Sequence, residues 1–458
     1  MRIVTLHAGG LGDLVLVESY LSALREKHPA ARLELVCRAD VAPVAQLYAQ
    51  PPDAVHTFDF NPYRWAIPDD LAALEARTLL SRLGGAPADL FVSAELRATW
   101  LSEILAAALA PGEAVIADAR EPRSSDVLIL LGKLQLDRKR GIRRLEPASA
   151  EHELDRYARL AGAGARRNPA LRPIAAAAPA SELVVFPVGS TPINRWPMHA
   201  MGETARRIAA KHGATVTLVG ADVDRADVET AVASGYFGAS PAIVTGSPDD
   251  LPSVAARIAG AVGYVGIETG LVHLAAAYGV PGATVYGGGY WPVYGPWAPR
   301  SAAVVAPIPC FGCEWDCAFE RPFCIEGVDV DAVVAAFETA FAGDSGGPVV
   351  CERDAYGARE RAIFEAAGTV HRAAQRDRAA RLAAITRLRD LLGRYARRTR
   401  KHSRKADGLF ASLVDVANQT ARRLEQAGSD AAAASGRPTG FTPPADITRK
   451  RRRTAHKK

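Results

Sequence analysis

Arg2-Ile-Val-Thr-Leu-His-Ala-Gly-Gly-Leu-Gly-Asp13 is the stretch on which the fold turns. Residues 2–6 form a short run rich in β-branched side chains, which reads as a strand, and residues 7–13 are a glycine loop. Leu14, Val17, Leu21 and Leu24 follow at helical spacing, and the helix stops before Pro29. A second apolar strand follows over 32–37. Strand, helix and strand in that order predict a right-handed βαβ unit of a parallel sheet. Further strands are expected over 90–93, 114–117 and 126–130.

A stretch rich in Ala and Pro without periodicity, residues 163–182, reads as a linker. A second alternating series then starts: strand 183–186, helix 198–211, strand 215–219, helix 251–261, strand 263–266, helix 272–278, strand 282–286 and a closing helix 329–341. The expected division is a Rossmann-like domain over 1–162, the linker 163–182, and a second Rossmann-like domain over 183–345. A basic helical extension over 346–427 and a disordered basic tail over 428–458 complete it. Two α/β units joined in this way place a ligand at the carboxyl ends of their strands.

The 458 residues, 48% hydrophobic and 23% charged, are those of a globular protein rather than a disordered or fibrous one. No apolar run approaches the roughly 18 residues that a membrane span needs. The apolar stretch 3–17 is interrupted by His7 and Asp13 and lacks a small-residue cleavage site, so it does not read as a signal peptide. A cytoplasmic protein is expected. Residues 352–458 hold 26 Lys and Arg against 11 Asp and Glu, while residues 1–351 hold 30 against 39. An acidic body therefore carries a basic extension, which points to an anionic partner. Helical spacing of Leu382, Ile385, Leu388, Leu392 and Tyr395 predicts a long helix over 363–400, with a second over 409–426.

Gly266-Ile-Glu-Thr-Gly-Leu-Val-His-Leu-Ala-Ala-Ala277 carries the sharpest chemistry. A strand ends at Gly266, Thr269 stands where a cap is needed, and a helix of small residues opens near Leu271. Free N–H groups and the helix dipole at such a point suit a diphosphate. Gly270 admits the ligand to the backbone, and His273 lies in the first turn. An ordinary capped helix accounts for these residues equally well. Two more loops belong to the same sheet edge. Phe186-Pro-Val-Gly-Ser-Thr191 with Asn194-Arg-Trp-Pro197 offers Ser190, Thr191 and Arg195 to phosphate oxygens. Val219-Gly-Ala-Asp-Val-Asp224 offers Asp224 to a ribose diol. Asp13 faces the cleft from the other domain, where a carboxylate can take a proton from a hydroxyl or simply cap its helix.

Gly12-Asp13 in an N-terminal strand–loop–helix, Arg195-Trp196-Pro197 after a strand, and the Glu-Thr-Gly-x-x-His-Leu-Ala-Ala-Ala segment together resemble the lipopolysaccharide heptosyltransferases of glycosyltransferase family 9. The resemblance covers about residues 1–343. It implies a GT-B fold and an inverting transfer from a nucleotide sugar, usually ADP-heptose, to a saccharide acceptor of lipopolysaccharide-core type. By the same resemblance the first domain takes the acceptor and the second the nucleotide sugar, Asp13 is the base, and no cofactor is required for the chemistry. The donor residues expected from the three loops are Ser190, Thr191, Arg195, Asp224, Glu268, Thr269, Gly270 and His273. Two departures stand out: Glu268 replaces the family's usual Asp, and Asn194 aligns with a frequent Lys, for which the neighbouring Arg195 is a candidate replacement.

Cys310, Cys313, Cys317 and Cys324 are clustered, a donor set suited to a structural zinc or iron or equally to a loop of reduced thiols. Protein-modifying heptosyltransferases resemble this chain in having such a loop for iron, which gives a second reading with a protein acceptor. A third is a non-catalytic nucleotide-sugar-binding scaffold. The basic extension is expected to meet the anionic inner face of the inner membrane, where a glycolipid acceptor sits; nucleic acid is not the expected partner.

Overall fold

The computed structural model describes residues 1–60, 62, 69–118, 124–146, 148, 150–165, 167–175, 181–189, 191–238, 241–313, 315, 317, 319, 321–343, 346–374 and 422. Ser190 and most of the expected basic helices and tail lie outside these residues. The chain forms two compact units. The first, Met1–Cys317 with Arg321–Gly357, holds every strand among the described residues; the second comprises Ala318–Glu320 and Ala358–Lys458.

The first sheet is built from β1 (Arg2–His7), α1 (Leu11–Lys27), β2 (Arg32–Arg38), β3 (Ala54–Phe58), α2 (Asp69–Leu83), β4 (Leu90–Ser93), α3 (Trp100–Ala108), β5 (Glu113–Ile116), α4 (Ser124–Leu134) and β6 (Arg143–Arg144), followed by α5 (Glu153–Ala161). Its strands are all parallel, in the order β3-β2-β1-β4-β5-β6. The second is built from β7 (Glu182–Phe186), α6 (Met198–His212), β8 (Thr215–Ala221), α7 (Arg225–Ala233), β9 (Ala242–Gly246), α8 (Leu251–Gly260), β10 (Gly263–Ile267), α9 (Gly270–Ala277), β11 (Gly282–Tyr286), β12 (Ser301–Val305), α10 (Phe323–Glu326), α11 (Val330–Ala342) and β13 (Val349–Glu352). Its order is β13-β12-β11-β10-β7-β8-β9, again all parallel. α12 (Ala358–Ala374) belongs to the second unit, where Phe319 packs edge-on against Phe364.

Both sheets thus reverse direction once, between β1 and β4 and between β7 and β10. In doubly wound folds these reversals open the ligand crevice. The central strands β7, β10, β11 and β12 are buried along their whole length, which is why they read as continuous apolar runs rather than alternating ones. Each fully buried Val, Leu or Ile contributes on the order of 1.5–3 kcal/mol. The acids sunk in the sheets are paired. Glu34 on β2 meets Arg2, Arg32 and His56 on three adjacent strands at 2.8–3.0 Å. Glu182 on β7 takes the Arg257 guanidinium at 2.6 Å.

Two expectations change. The strand expected over 126–130 is the middle of helix α4. Val127, Leu130 and Leu131 are buried at helical spacing, whereas Leu128 and Ile129 stand 52% and 46% exposed, which two-fold alternation cannot produce. The second sheet also continues past the Gly346-Gly347-Pro348 break, because β13 pairs with β12. Of the long helix expected over 363–400, α12 covers the described part.

Candidate active site

β1 ends at His7, and α1 begins at Leu11. Asp13, in the first turn of α1, accepts the Gly10 N–H on Oδ2 at 2.7 Å, so the carboxylate does close its helix. Gly9 makes this possible, since a Cβ there would lie 2.5 Å from Oδ2. Capping occupies one oxygen of the carboxylate and leaves Oδ1 as a second acceptor.

Opposite, β10 delivers Glu268 and α9 opens at Gly270. Thr269 occupies the N-cap position in an extended conformation (φ −153°, ψ 161°), but its side chain makes no capping hydrogen bond. The expected Thr269 cap is therefore not made. The two walls meet directly: a Cβ on Gly12 would stand 2.9 Å from His273 Cδ2 and 3.0 Å from Gly270 Cα. Burial, reinforced by the Asp13 charge, pushes the Glu268 carboxyl up to about 8, and its Oε2 is buried without a partner. Two carboxyls from different sheets thus share one field.

His273 is 5% exposed, and its Nδ1 accepts the Trp297 indole N–H at 3.2 Å. Burial, with His152 nearby, lowers it to about 3, so the ring is neutral with its proton on Nε2. It therefore offers an N–H to a diphosphate, not a positive charge. The ring meets Tyr294 edge-on at 6.5 Å.

The loop after β7 closes the third side. Thr191 precedes a single 3-10 turn, Pro192–Asn194. Buried Asn194 donates Nδ2 to the Glu268 carbonyl at 2.9 Å, which leaves its Oδ1 unpartnered. Arg195 does not take the place of the missing family lysine. Its Nη2 is held by Asp227 on α7 at 2.7 Å, while Nε is buried and unpartnered. Asp224, at the end of β8, is half-buried, caps nothing, and is raised by burial against the pull of Arg195. The structure therefore brings Asp13, Glu268, Thr269, Gly270 and His273 together around one crevice. Arg195 and Asp224 stand together at the end of β8.

Sequence reasoning missed the aromatic wall of Tyr294 and Trp297, because both come from an irregular loop after β11. The four clustered cysteines act on one another's ionisation. Burial and the other three thiols raise Cys310, and burial takes Cys324 to about 12, with its Sγ accepting the Gly288 N–H at 3.4 Å. Among the described residues, however, no group of three or more His, Cys, Asp or Glu side chains converges as metal ligands do. The set fits zinc or iron in kind and not in arrangement. No helix among the described residues is long and apolar enough to cross a membrane.

Residues 148–318 match the family model of glycosyltransferase family 9 (heptosyltransferase). Among solved structures, a glycosyltransferase family 9 protein from Veillonella parvula DSM 2008 superimposes with a TM-score of 0.55 at 16% identity, over 74% of this chain and 97% of that one. E. coli ADP-heptose lipopolysaccharide heptosyltransferase II gives 0.54 at 15% identity, over 75% and 99%. E. coli heptosyltransferase WaaC with ADP-2-deoxy-2-fluoro heptose gives 0.51 at 20% identity, over 74% and 99%. These likenesses carry the fold, which is of GT-B type. No curated protein matches the chain.

Proposed function

We propose that this chain, whose residues 148–318 match the model of glycosyltransferase family 9 (heptosyltransferase), transfers heptose from ADP-heptose with inversion onto a saccharide acceptor of lipopolysaccharide-core type. One observation carries this reading: the reversal points of the two sheets meet, with Asp13 and Glu268 near enough for one charge to shift the other carboxyl. In the proposed step Asp13 Oδ1 takes the proton of the acceptor hydroxyl. The acceptor oxygen bonds to the anomeric carbon as the bond from that carbon to the diphosphate oxygen breaks on the opposite face. The leaving diphosphate collects against the first N–H groups of α9, the Thr269 hydroxyl and neutral His273. A protonated Glu268 donates a hydrogen bond there without repelling the anion, and the unpartnered Asn194 Oδ1 is left to accept from a hydroxyl of the donor. Ser190 and Thr191 complete the phosphate side, and Asp224 takes the ribose.

ADP-heptose is the first donor to try, since WaaC is described with an ADP-fluoroheptose. Calorimetric titration against a panel of nucleotide sugars, followed by product analysis with the winner, tests the reading. Tight binding of a nucleotide sugar with no transfer to any saccharide would favour the scaffold instead. Nothing among the described residues favours a protein acceptor.

The proposal extends to two further features. Cys310, Cys313, Cys317 and Cys324 would have to draw together to hold a structural zinc or iron that takes no part in transfer; four soft donors that already sense each other support that reading. The basic extension would hold the enzyme at the anionic inner membrane face, in the cytoplasm, beside a glycolipid acceptor.

A further inference from the structure

We infer that His7 and Tyr157 are positioning residues which fix the glycine loop in front of Asp13; the inference rests on reading Asp13 as the base. His7 is 2% exposed at the end of β1. Its Nδ1 accepts the Gly9 N–H at 3.1 Å, so that nitrogen carries no proton. Its Nε2 lies 2.8 Å from Tyr157 Oη and donates to it. Burial keeps the ring neutral against the pull of Asp13 and Glu153, with Arg156 also disfavouring a charge. The tautomer is therefore set from both sides.

Tyr157, on α5, is fully buried, and its hydroxyl interacts with the Glu153 carboxylate one turn back. The Glu153 carboxylate is held on both oxygens by Arg156, through Nε at 2.8 Å and through Nη2. Arg156 in turn donates to the carbonyls of Ala94, at 2.6 Å, and Glu95, at 3.4 Å, just beyond β4. A buried ion pair of this kind returns little net stability, and an apolar set of similar volume would pack as well. What the polar chain adds is direction. It ends on the N–H of Gly9, and the next N–H, of Gly10, is the one that Asp13 Oδ2 accepts. The two consecutive amides are thus held by His7 on one side and by the proposed base on the other.

The same helix end reaches the opposite wall. The Glu153 N–H donates to Val293 O at 2.9 Å, and His152 Nε2 donates to Gly295 O at 3.1 Å. Between them lies Tyr294, and beyond it Trp297 holds His273. The first turn of α5 therefore sets the loops on both sides of the crevice from one buried ion pair.

The test uses full-length protein, ADP-heptose as donor, and a heptose-deficient core oligosaccharide or water as acceptor, with ADP release as the readout. Asn can reproduce the acceptor at Nδ1, and Gln can reproduce the donor at Nε2. His7→Asn should keep the Gly9 contact and most turnover. His7→Gln and Tyr157→Phe should each lower kcat about 10-fold or more with the donor KM within about twofold. In chain labelled with nitrogen-15 histidine, His7 should show the Nε2–H tautomer, and Tyr157→Phe should perturb it. Equal loss in His7→Asn and His7→Gln, or an unchanged Tyr157→Phe, would overturn the inference, as would an Nδ1–H tautomer. Asp13→Asn in the same assay separates the two levels. If it turns over normally, the base reading itself fails; if it is inactive while the His7 variants behave alike, only the positioning role fails.

Discussion

A Cβ built on Gly270 would lie 2.6 Å from the backbone nitrogen of Gly12, so the first turns of α9 and α1 touch through bare backbone. Each glycine follows a different sheet's reversal point, and their contact is what places Asp13 across from Glu268. Backbone cannot swing aside as a flexible side chain can. Gly270→Ala must therefore move one helix end, at a cost of about 1–3 kcal/mol for overpacking. Its turnover and ADP affinity should both fall, about 10-fold or more by analogy with other small misplacements. Gly132, exposed in α4, is the control, because a Cβ added there would meet nothing within 4 Å. Gly132→Ala should raise stability by about 0.5–1 kcal/mol and leave activity alone. Equal behaviour of the two alanines in thermal melts and binding would remove the case for the Gly12–Gly270 contact.

Asp13 has two jobs in this arrangement, and they can be separated. Asparagine still presents an oxygen to the Gly10 N–H and keeps the cap, whereas alanine loses it. Asp13→Asn should melt close to the parent while kcat falls by roughly 10²–10⁴. Asp13→Ala should lose a similar amount of kcat and about 1 kcal/mol of stability as well. Normal turnover in Asp13→Asn would reduce Asp13 to a helix cap.

Much of this was legible in the sequence where local rules suffice. Arg2-Ile-Val-Thr-Leu6 and Gly282-Ala-Thr-Val-Tyr286 are strands as read, and the segment from Gly266 to Ala277 does pass from strand end to helix start. The Val-Leu-Ile-Leu run at 127–130 misled because a short apolar run suits a buried strand and a buried helix alike, and only packing decides. The His7–Tyr157 bond was out of reach for another reason. Its partners stand 150 positions apart, and a lone His at a strand end and a Tyr in a charged helix announce nothing singly. Likewise, Arg195 looked free to meet a phosphate until Asp227 was placed beside it.

The Glu268 carboxyl gives a pH-dependent signature in the ligand-free protein. It titrates near 8 when folded and near its ordinary 4.5 when unfolded. Between those values the folded chain keeps a proton that the unfolded chain has released, so rising pH draws the equilibrium toward unfolding. Glu268→Gln has no such proton to lose. Its melting temperature relative to the parent should climb from pH 5 to pH 8. A difference that stays flat across that window, or shrinks, would mean that Glu268 is ionised and solvated in the crevice.

For the cysteine loop the measurement is metal content. Protein purified without chelator should carry about one zinc or iron per chain, and Cys310→Ser with Cys313→Ser should remove it and lower the melting temperature. Metal-free protein whose stability is unchanged by the double substitution would leave four reduced thiols in an ordinary loop. Catalysis should survive either outcome, because none of the four cysteines is among the proposed donor or acceptor contacts.

The basic extension tests a different kind of contribution, to encounter rather than to chemistry. Residues 352–458 hold 26 Lys and Arg against 11 Asp and Glu, on a body that is net acidic. Near an anionic bilayer each cation contributes on the order of 1 kcal/mol, and the attraction fades over a Debye length of about 8 Å at physiological salt. Adsorption of that strength would raise the local concentration of a glycolipid acceptor without altering the crevice. Deleting residues 375–458 should therefore spare kcat and KM on a soluble core oligosaccharide and abolish salt-sensitive flotation with vesicles containing phosphatidylglycerol. The rival is an extension that joins copies of the chain, with its arginines facing water. Full-length protein that fails to float, together with a change in light-scattering mass on truncation, would sink the membrane role and establish self-association in its place.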